Sequence, residues 1–373
     1  MPFQIVPPGT QIDFIGRRHI AFAVSALLFI ATAVAILTQG VRLGIDFAGG
    51  TEVQLLFAPD ANADEGRIRT VLSACGVDDA SVVRYGEADA SEFLVRFASQ
   101  GAAPAEAGTE CPLPEGVAER LARVDRDIGA DSATPGTAAV IDRLVAALGH
   151  TVGDLQVQRV EYVGPRVGDE LRRDGLFAIG LACVLILIYI AFRFSTRFAP
   201  GAVVALVHDV GITAGIFVIF GLEFDLRVLA ALLATLGYSL NDTIIIYDRI
   251  RENMELRTKH DLIEVLNRSV NQTLSRTLLT SFTTLGAVTA LLVVGGEVIR
   301  PFALAMAIGV VVGTYSSSFI AAPTLLFLEQ RFGDGDSGGK GGRESSSRPP
   351  QPKAGEKTRR GKKGRNKAAR AQA

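Results

Sequence analysis

Residues 228–247 read VLAALLATLGYSLNDTIIIY, a run of 20 residues in which Asp242 is the only charged side chain. An α-helix of about 20 apolar residues is long enough to cross the hydrocarbon core of a bilayer. A carboxylate inside such a helix is costly, so it is retained only where it is protonated, paired or facing water. This segment therefore predicts a membrane-spanning helix that carries a functional carboxyl group.

Five more apolar runs of spanning length surround this segment. They lie at residues 20–41, 175–192, 200–221, 278–294 and 302–328. The apolar part of the first run, about 19 residues, is too long for a signal peptide, whose apolar core has about 7–15. The chain is 48% hydrophobic and 21% charged, a combination expected when apolar residues are segregated into spans. We therefore predict an α-helical polytopic membrane protein with six transmembrane helices, the last five within residues 175–328.

The distribution of lysine and arginine predicts how the chain is oriented. The loops at 193–199 and 248–277 carry two and six basic residues, and the tail from Gln330 carries thirteen. The loops at 221–227 and 295–301 carry one each. Because basic loops stay in the cytoplasm, residues 1–19 and the tail at 329–373 are predicted to be cytoplasmic, with residues 42–174 exported.

The exported segment at 42–174 shows the patterns of a small α+β domain. Predicted strands and helices follow one another in the order βαββαβ, at 51–57, 64–75, 81–85, 92–98, 140–148 and 155–163. That order is typical of the ferredoxin-like, split-βαβ module. Ala, Gly, Pro and Asp are frequent at 99–136, so this stretch is predicted to be a flexible insertion.

Arg276, at the start of the fifth span, is a predicted partner for Asp242. Helical spacing groups the polar side chains of each span on one side: Arg276, Thr280 and Thr283 on the fifth, and Tyr238, Ser239 and Asp242, next to Asn241, on the fourth. Polar faces in hydrocarbon are expected to meet, because lipid offers no hydrogen bonds. We predict a proton-carrying pair; the alternative is a buried contact with a structural role alone.

A second titratable pair, His208 and Asp209, lies near the middle of the third span. Histidine titrates near neutral pH, so this pair is a further candidate for a proton relay, with a structural polar contact as the alternative. The sixth span has small residues at spacing four, which favour close helix packing within this bundle or against another subunit: Ala305, Gly309, Gly313 and Ser317.

The cysteines and the tail leave alternatives open. Cys75 and Cys111 both lie in the exported segment, where they either form a disulfide or stay free. The basic tail at 333–373 is predicted to be disordered and to contact anionic lipid, ribosomal RNA or solvent alone. The sequence has neither a metal-ligand spacing nor a nucleotide-binding loop, so no metal, no cofactor and no enzymatic activity is predicted.

Several motifs together resemble the SecD/SecF family of the RND superfamily. Two of them flank the exported segment, at 44–51 (GIDFAGGT) and 163–171 (VGPRVGDEL), and contain Asp46, Gly49, Gly50, Gly164, Pro165 and Gly168. The others are His208-Asp209, the fourth-span stretch at 237–253, which resembles the SecF branch most, and the start of the fifth span at 275–281. The resemblance covers about residues 10–330, and leaves out the insertion and the tail.

This resemblance implies an RND-type half-bundle in a bacterial inner membrane that pairs with a separate SecD chain. It also implies use of the proton-motive force to help move preproteins outward after the SecYEG channel and the SecA ATPase have begun translocation. Asp242 and Arg276 would then handle the proton, with His208 and Asp209 as further relay groups.

Two other functions compete with this interpretation. An RND exporter of small molecules or lipids is disfavoured, because its exported domains are larger and both halves normally share one chain. An intramembrane aspartyl protease using Asp209 and Asp242 is disfavoured as well, because Tyr247-Asp248 is not followed by Gly-x-Gly-Asp, and because a carboxylate paired with arginine would be a poor acid.

Overall fold

A computed structural model describes residues 6–7, 9–77, 80–86, 91–97, 135–194, 197–256 and 261–332 of the 373-residue chain. Cys111, the tail from Gly333 and nearly all of the insertion predicted at 99–136 lie outside these residues. The helices are α1 (Arg18–Gln39), α2 (Ile45–Ala48), α3 (Glu65–Ala74), α4 (Pro135–Thr151), α5 (Pro165–Arg193), α6 (Ala199–Ile219), α7 (Leu226–Glu255), α8 (Leu262–Val294), α9 (Gly296–Ser316) and α10 (Ala322–Phe332). A π-helical turn, Ser317–Ala321, joins α9 to α10.

The six predicted spans are confirmed in number. Six helices of the described residues are long and apolar enough to cross a membrane: α1, α5, α6, α7, α8, and the continuous sixth span made of α9, the π-turn and α10. Because successive spans alternate in direction, the loops between α5 and α6 and between α7 and α8 lie at the end of the bundle away from the sheet domain. We call this the distal end.

The helix of the fifth span begins well before its apolar run. The fifth span was expected from residue 278, but α8 begins at Leu262, where the Asp261 side chain accepts a hydrogen bond from the backbone N–H of Ile263. The first turns of α8 bury Leu266 and Val270 against Phe14 and Ile15. This part of the helix is stabilised by protein packing rather than by lipid, so hydropathy alone does not detect it.

The segment at 42–174 folds around one antiparallel sheet, as predicted. Its strands are β1 (Gly50–Phe57), β2 (Ser81–Arg84), β3 (Glu92–Phe97) and β4 (Leu155–Val163), in the spatial order β2-β3-β1-β4. This is the ferredoxin-like order, in which α3 and α4 cover one face. Alternate residues of β1 point into that core, namely Val53, Leu55 and Phe57.

The two described cysteines have different environments. Cys75 is fully buried in the core of the sheet domain and is disulfide-bonded; Cys111, the candidate partner named from the sequence, lies outside the described residues. Cys183 is a free thiol on α5.

The two glycine-containing motifs form the junction between the sheet domain and the bundle. Asp46 accepts a hydrogen bond from the backbone N–H of Leu226 at 2.9 Å, at the start of α7. Gly49 has a φ of +72°, and a Cβ added there would lie 2.8 Å from the Cα of Pro165. A Cβ on Gly168 would lie 3.0 Å from the backbone nitrogen of Gly49. The motifs therefore need glycine, because the backbone around Gly49 and the backbone at the start of α5 touch here. Gly50 follows Gly49 directly, and Gly164 is the N-cap of α5.

Replacing Gly49 with Ala is expected to destabilise this junction strongly. Alanine carries both the strain of a positive φ and a collision with backbone atoms, which cannot move aside as a side chain can. Gly40 is the matched control, since it has the same φ of +72° with nothing within 4 Å of an added Cβ. We expect G49A to lower the thermal unfolding temperature of the purified protein well below that of G40A. Equal melting of the two variants would contradict the close approach at Gly49.

The small residues of the sixth span pack against α7 within the same bundle. A Cβ on Gly309 would lie 2.4 Å from the Thr235 hydroxyl oxygen, and one on Gly313 would lie 2.9 Å from Cβ of Ser239. Ala305 and Ser317, at the two ends of this row, are fully buried. This row of small residues, which we call the seam, therefore brings α9 close to α7. Polar side chains of the two helices can then contact the same group.

Candidate functional site

Asp242 lies on α7, six residues before Asp248, which corresponds to about 9 Å along the helix axis. Its side chain is fully buried. Within the described residues, neither carboxylate oxygen has a hydrogen-bond partner, and the buried hydroxyls of Thr243 and Thr277 lack one as well. An ionised carboxylate that is buried without a hydrogen-bond donor is costly, so Asp242 remains a candidate for a group that carries a proton.

The ion pair predicted between Asp242 and Arg276 is not formed in the structure. Arg276 and Thr280 on α8 lie near Asp242, but among the described residues neither carboxyl oxygen of Asp242 meets the distance and angle of a hydrogen bond. The physical reason is orientation: Asp242 faces into the bundle, whereas the Arg276 side chain is exposed. The polar stripe of α8 thus lies mostly on the outer surface, where Thr283 is also exposed.

A chain of hydroxyl groups joins three of the spans beside this carboxylate. Tyr238 on α7 donates a hydrogen bond to the Ser281 hydroxyl on α8 at 3.1 Å. The Ser281 hydroxyl is in turn 2.6 Å from that of Thr314 on α9. Asn241, the remaining polar residue of the predicted group, is exposed on α7. The predicted polar side chains of the fourth and fifth spans therefore divide between an inner and an outer surface.

Ser239 belongs to the second titratable group rather than to Asp242. Its hydroxyl donates to Oδ2 of Asp209 on α6, and the hydroxyl of Ser316 donates to the same oxygen at 2.8 Å. Nδ1 of His208 lies 3.0 Å from Oδ1 of Asp209. Asp209 is fully buried, and its carboxyl oxygens lie within hydrogen-bond distance of polar side chains from three different spans.

His208 extends this group to the first span. Its Nε2 lies 2.8 Å from the hydroxyl of Ser25 on α1, and the Phe29 ring packs edge-on to the imidazole, with centroids 6.0 Å apart. Sequence reasoning missed Ser25 and Ser316. A serine in the middle of an apolar run was the available signal, because a buried hydroxyl in hydrocarbon needs a partner.

Asp209 and Asp242 are connected through α7. Ser239, which binds Asp209, and Asp242 are three residues apart, so they lie on neighbouring positions of one helix face, separated by about 4.5 Å of rise. The carboxyl group of Asp209, which belongs to the third span, and that of Asp242 thus lie within about one helical turn of each other, measured along the axis of the fourth span. This arrangement can hold a proton at either of two levels in the membrane.

Comparison with known proteins places this architecture in a family. A family model described as "Protein export membrane protein SecD/SecF, C-terminal" matches residues 144–331. A second model, described as "SecD/SecF GG Motif", matches residues 34–61, which include the glycine junction.

Individual proteins agree with the family models. The chain is 41% identical over 317 residues to the protein translocase subunit SecF of Pseudomonas aeruginosa, covering 85% of this chain and 91% of that protein. It is 42% identical over 326 residues to SecF of Magnetococcus marinus, covering 87% and 94%. The crystal structure of SecDF from Thermus thermophilus has a TM-score of 0.68 and 34% identity, covering 88% of this chain but 40% of that longer one.

These relatives are translocase subunits rather than enzymes, which removes the intramembrane protease from consideration. The two family models, the identity along most of the chain and the shared six-span architecture with its sheet domain all agree. The chain therefore belongs to the SecF family of protein translocase subunits.

Proposed function

We propose that this chain is one half of a proton-driven export complex in a bacterial inner membrane, with both termini in the cytoplasm. Its partner is a separate SecD chain. Together they use the proton-motive force to assist the late steps of preprotein translocation through the SecYEG channel, after SecA has begun the process. The observation that carries this proposal is the buried carboxyl of Asp242 in the fourth membrane span, which has no hydrogen-bond partner among the described residues.

The exposed polar side chains of α7 and α8 support the presence of a second half. Asn241, Arg276 and Thr283 are exposed at the depth of the membrane, where lipid offers no hydrogen bonds. Gly237 and Gly286 have nothing within 4 Å of an added Cβ, so a neighbouring helix can approach closely here. This chain spans 40% of the SecDF chain, which leaves room in that protein for another half.

A proton arriving at Asp242 provides the driving step. The ionised carboxylate attracts the Arg276 charge towards the inside of the bundle, and the neutral acid does not. Moving one charge through 100 mV supplies about 2.3 kcal/mol, enough to shift a two-state equilibrium by about fifty-fold. Repacking of α7 against α8 is the change that this energy drives.

An ionic contact on the sheet side passes this repacking to the exported domain. Arg96 on β3 binds both Glu52 on β1 and Glu223 in the loop between α6 and α7. That loop connects the span holding Asp209 to the span holding Asp242. Movement of either helix therefore displaces Glu223 and, through Arg96, the outer face of the sheet. The hydrogen bond between Asp46 and Leu226 is a second connection at this side of the bundle.

Reconstitution tests the proposal. Vesicles containing SecYEG and SecA are prepared with both this chain and its SecD partner, with either alone, or with neither. We expect an imposed pH gradient to accelerate preprotein uptake only when both halves are present, because the outer polar surface is incomplete without the second half. An equal response to the gradient in vesicles lacking this chain would overturn the proposed function.

A further inference from the structure

A groove of about 410 Å³ opens at the distal end of the bundle, between the start of α1 and the last helix, α10. Its floor is apolar and is made by Phe22, Pro323, Leu326 and Phe327. Phe327 is 64% exposed and Phe22 is 39% exposed. Two large rings thus border an open space where α1 and α10 leave the apolar part of the membrane.

The rim of the groove is cationic and polar. Arg18 and His19 line it from α1, and Thr324 and Gln330 line it from α10. One N–H of the Arg18 guanidinium donates to the carbonyl of Ile15 at 2.9 Å, which fixes the side chain and leaves its other donors available. Among the described residues, neither Arg18 nor His19 forms an ion pair with an acid. Arginine presents its donors in a planar fork that matches a phosphate group.

The neighbouring carboxylates are already held elsewhere. Asp13 accepts hydrogen bonds from the backbone N–H of Gly16 and from Asn267, which hold the pKa of that carboxyl below its usual range. Glu329 on α10 lies 3.8 Å from Arg197. Arg17 and Arg331 add two exposed cations close to the groove in sequence. The rim therefore keeps a positive character that suits an anion.

We propose that this groove is a binding site for an anionic phospholipid of the distal leaflet. The phosphate lies against Arg18 and His19, and an acyl chain lies on Phe22, Leu326 and Phe327. Two features select a lipid over a free phosphate: the floor is apolar, and the groove lies between two membrane helices. A basic pocket between membrane helices is a recognised arrangement for anionic headgroups. The site is separate from Asp242 and does not depend on the proposed function.

Native mass spectrometry of the delipidated full chain tests this site, with dioleoylphosphatidylglycerol and dioleoylphosphatidylcholine as probes. We expect the wild type to retain the anionic lipid preferentially. R18Q is expected to reduce that retention about tenfold, the effect of losing one charge-assisted hydrogen bond. R251Q is the control, because it removes a partly exposed distal arginine that pairs with Glu255 outside the groove. T324W is expected to block the groove while leaving every charge in place.

The outcomes separate the proposal from its rivals. Equal losses in R18Q and R251Q, or unchanged binding in T324W, would show that net charge alone attracts the lipid, and would overturn the site. Equal retention of the two lipids by the wild type would overturn it as well. Displacement of the anionic lipid by millimolar glycerol phosphate would assign the site to a soluble anion instead. Thermal unfolding of each variant verifies that it is folded.

Discussion

Asp242→Asn is expected to abolish the response of export to a pH gradient while leaving membrane insertion and assembly with SecD intact. Asparagine has nearly the same shape as aspartate but has no titrating proton. The side chain is fully buried with no hydrogen-bond partner among the described residues, so a neutral amide is tolerated at least as well as a carboxylate. Uptake into reconstituted vesicles should fall to the rate seen without this chain.

Asp248→Asn is the matched control for this substitution. It makes the same change six residues along the same helix, at a position that is exposed, and should leave the gradient response unchanged. Arg276→Lys should be impaired and Arg276→Ala more so, since lysine keeps the charge but lacks the planar fork. A normal gradient response in D242N would show that the carboxyl is structural, and the proton route would have to be sought at His208 and Asp209.

Asp209→Ala is expected to lower the stability of the bundle by about 1–3 kcal/mol for each buried polar group that it leaves without a partner. His208, Ser239 and Ser316 would each lose their shared acceptor. These donors come from α6, α7 and α9, so the loss loosens the packing of three spans at once. Thermal unfolding in detergent measures the effect.

Thr213→Val is the matched control for Asp209→Ala. Thr213 is one turn further along α6 and equally buried, and its hydroxyl has no partner among the described residues. Valine has almost the same shape, so this variant should unfold at or above the wild-type temperature. Asp209→Asn should fall between the two, because its amide still offers one oxygen acceptor. If D209A unfolds like T213V, the three hydrogen bonds at Asp209 contribute little, and the group is not the centre of the bundle.

Local patterns were sufficient to predict the main elements of the fold. Runs of about 20 apolar residues predicted the six spans, because the bilayer sets a minimum length that sequence displays directly. The order of the predicted strands and helices, beginning with the strand at 51–57, predicted the sheet that is observed. Asp242 stood out for a similarly local reason, which is the cost of a charge in hydrocarbon.

The partners of the polar side chains depended on how the helices rotate against one another. Helical spacing correctly placed Ser239 and Asp242 on one face of the fourth span. Periodicity does not show, however, which neighbouring helix each of these side chains contacts. The seam at Gly309 and Gly313 brings α9 against α7, and this packing directs Ser239 to Asp209 and adds Ser316 to the same carboxylate.

The sequence by itself therefore determined which segments span the membrane, the order of the sheet domain and the identity of the buried titratable residues. The tertiary structure alone decided that Asp242 lacks a hydrogen-bond partner among the described residues, that Arg276 is exposed, and that Ser25 reaches His208. The physical reason is that hydropathy and strand alternation are properties of neighbouring residues along the chain. A hydrogen bond between spans depends instead on the close packing of residues far apart in sequence, such as Ser25 and His208.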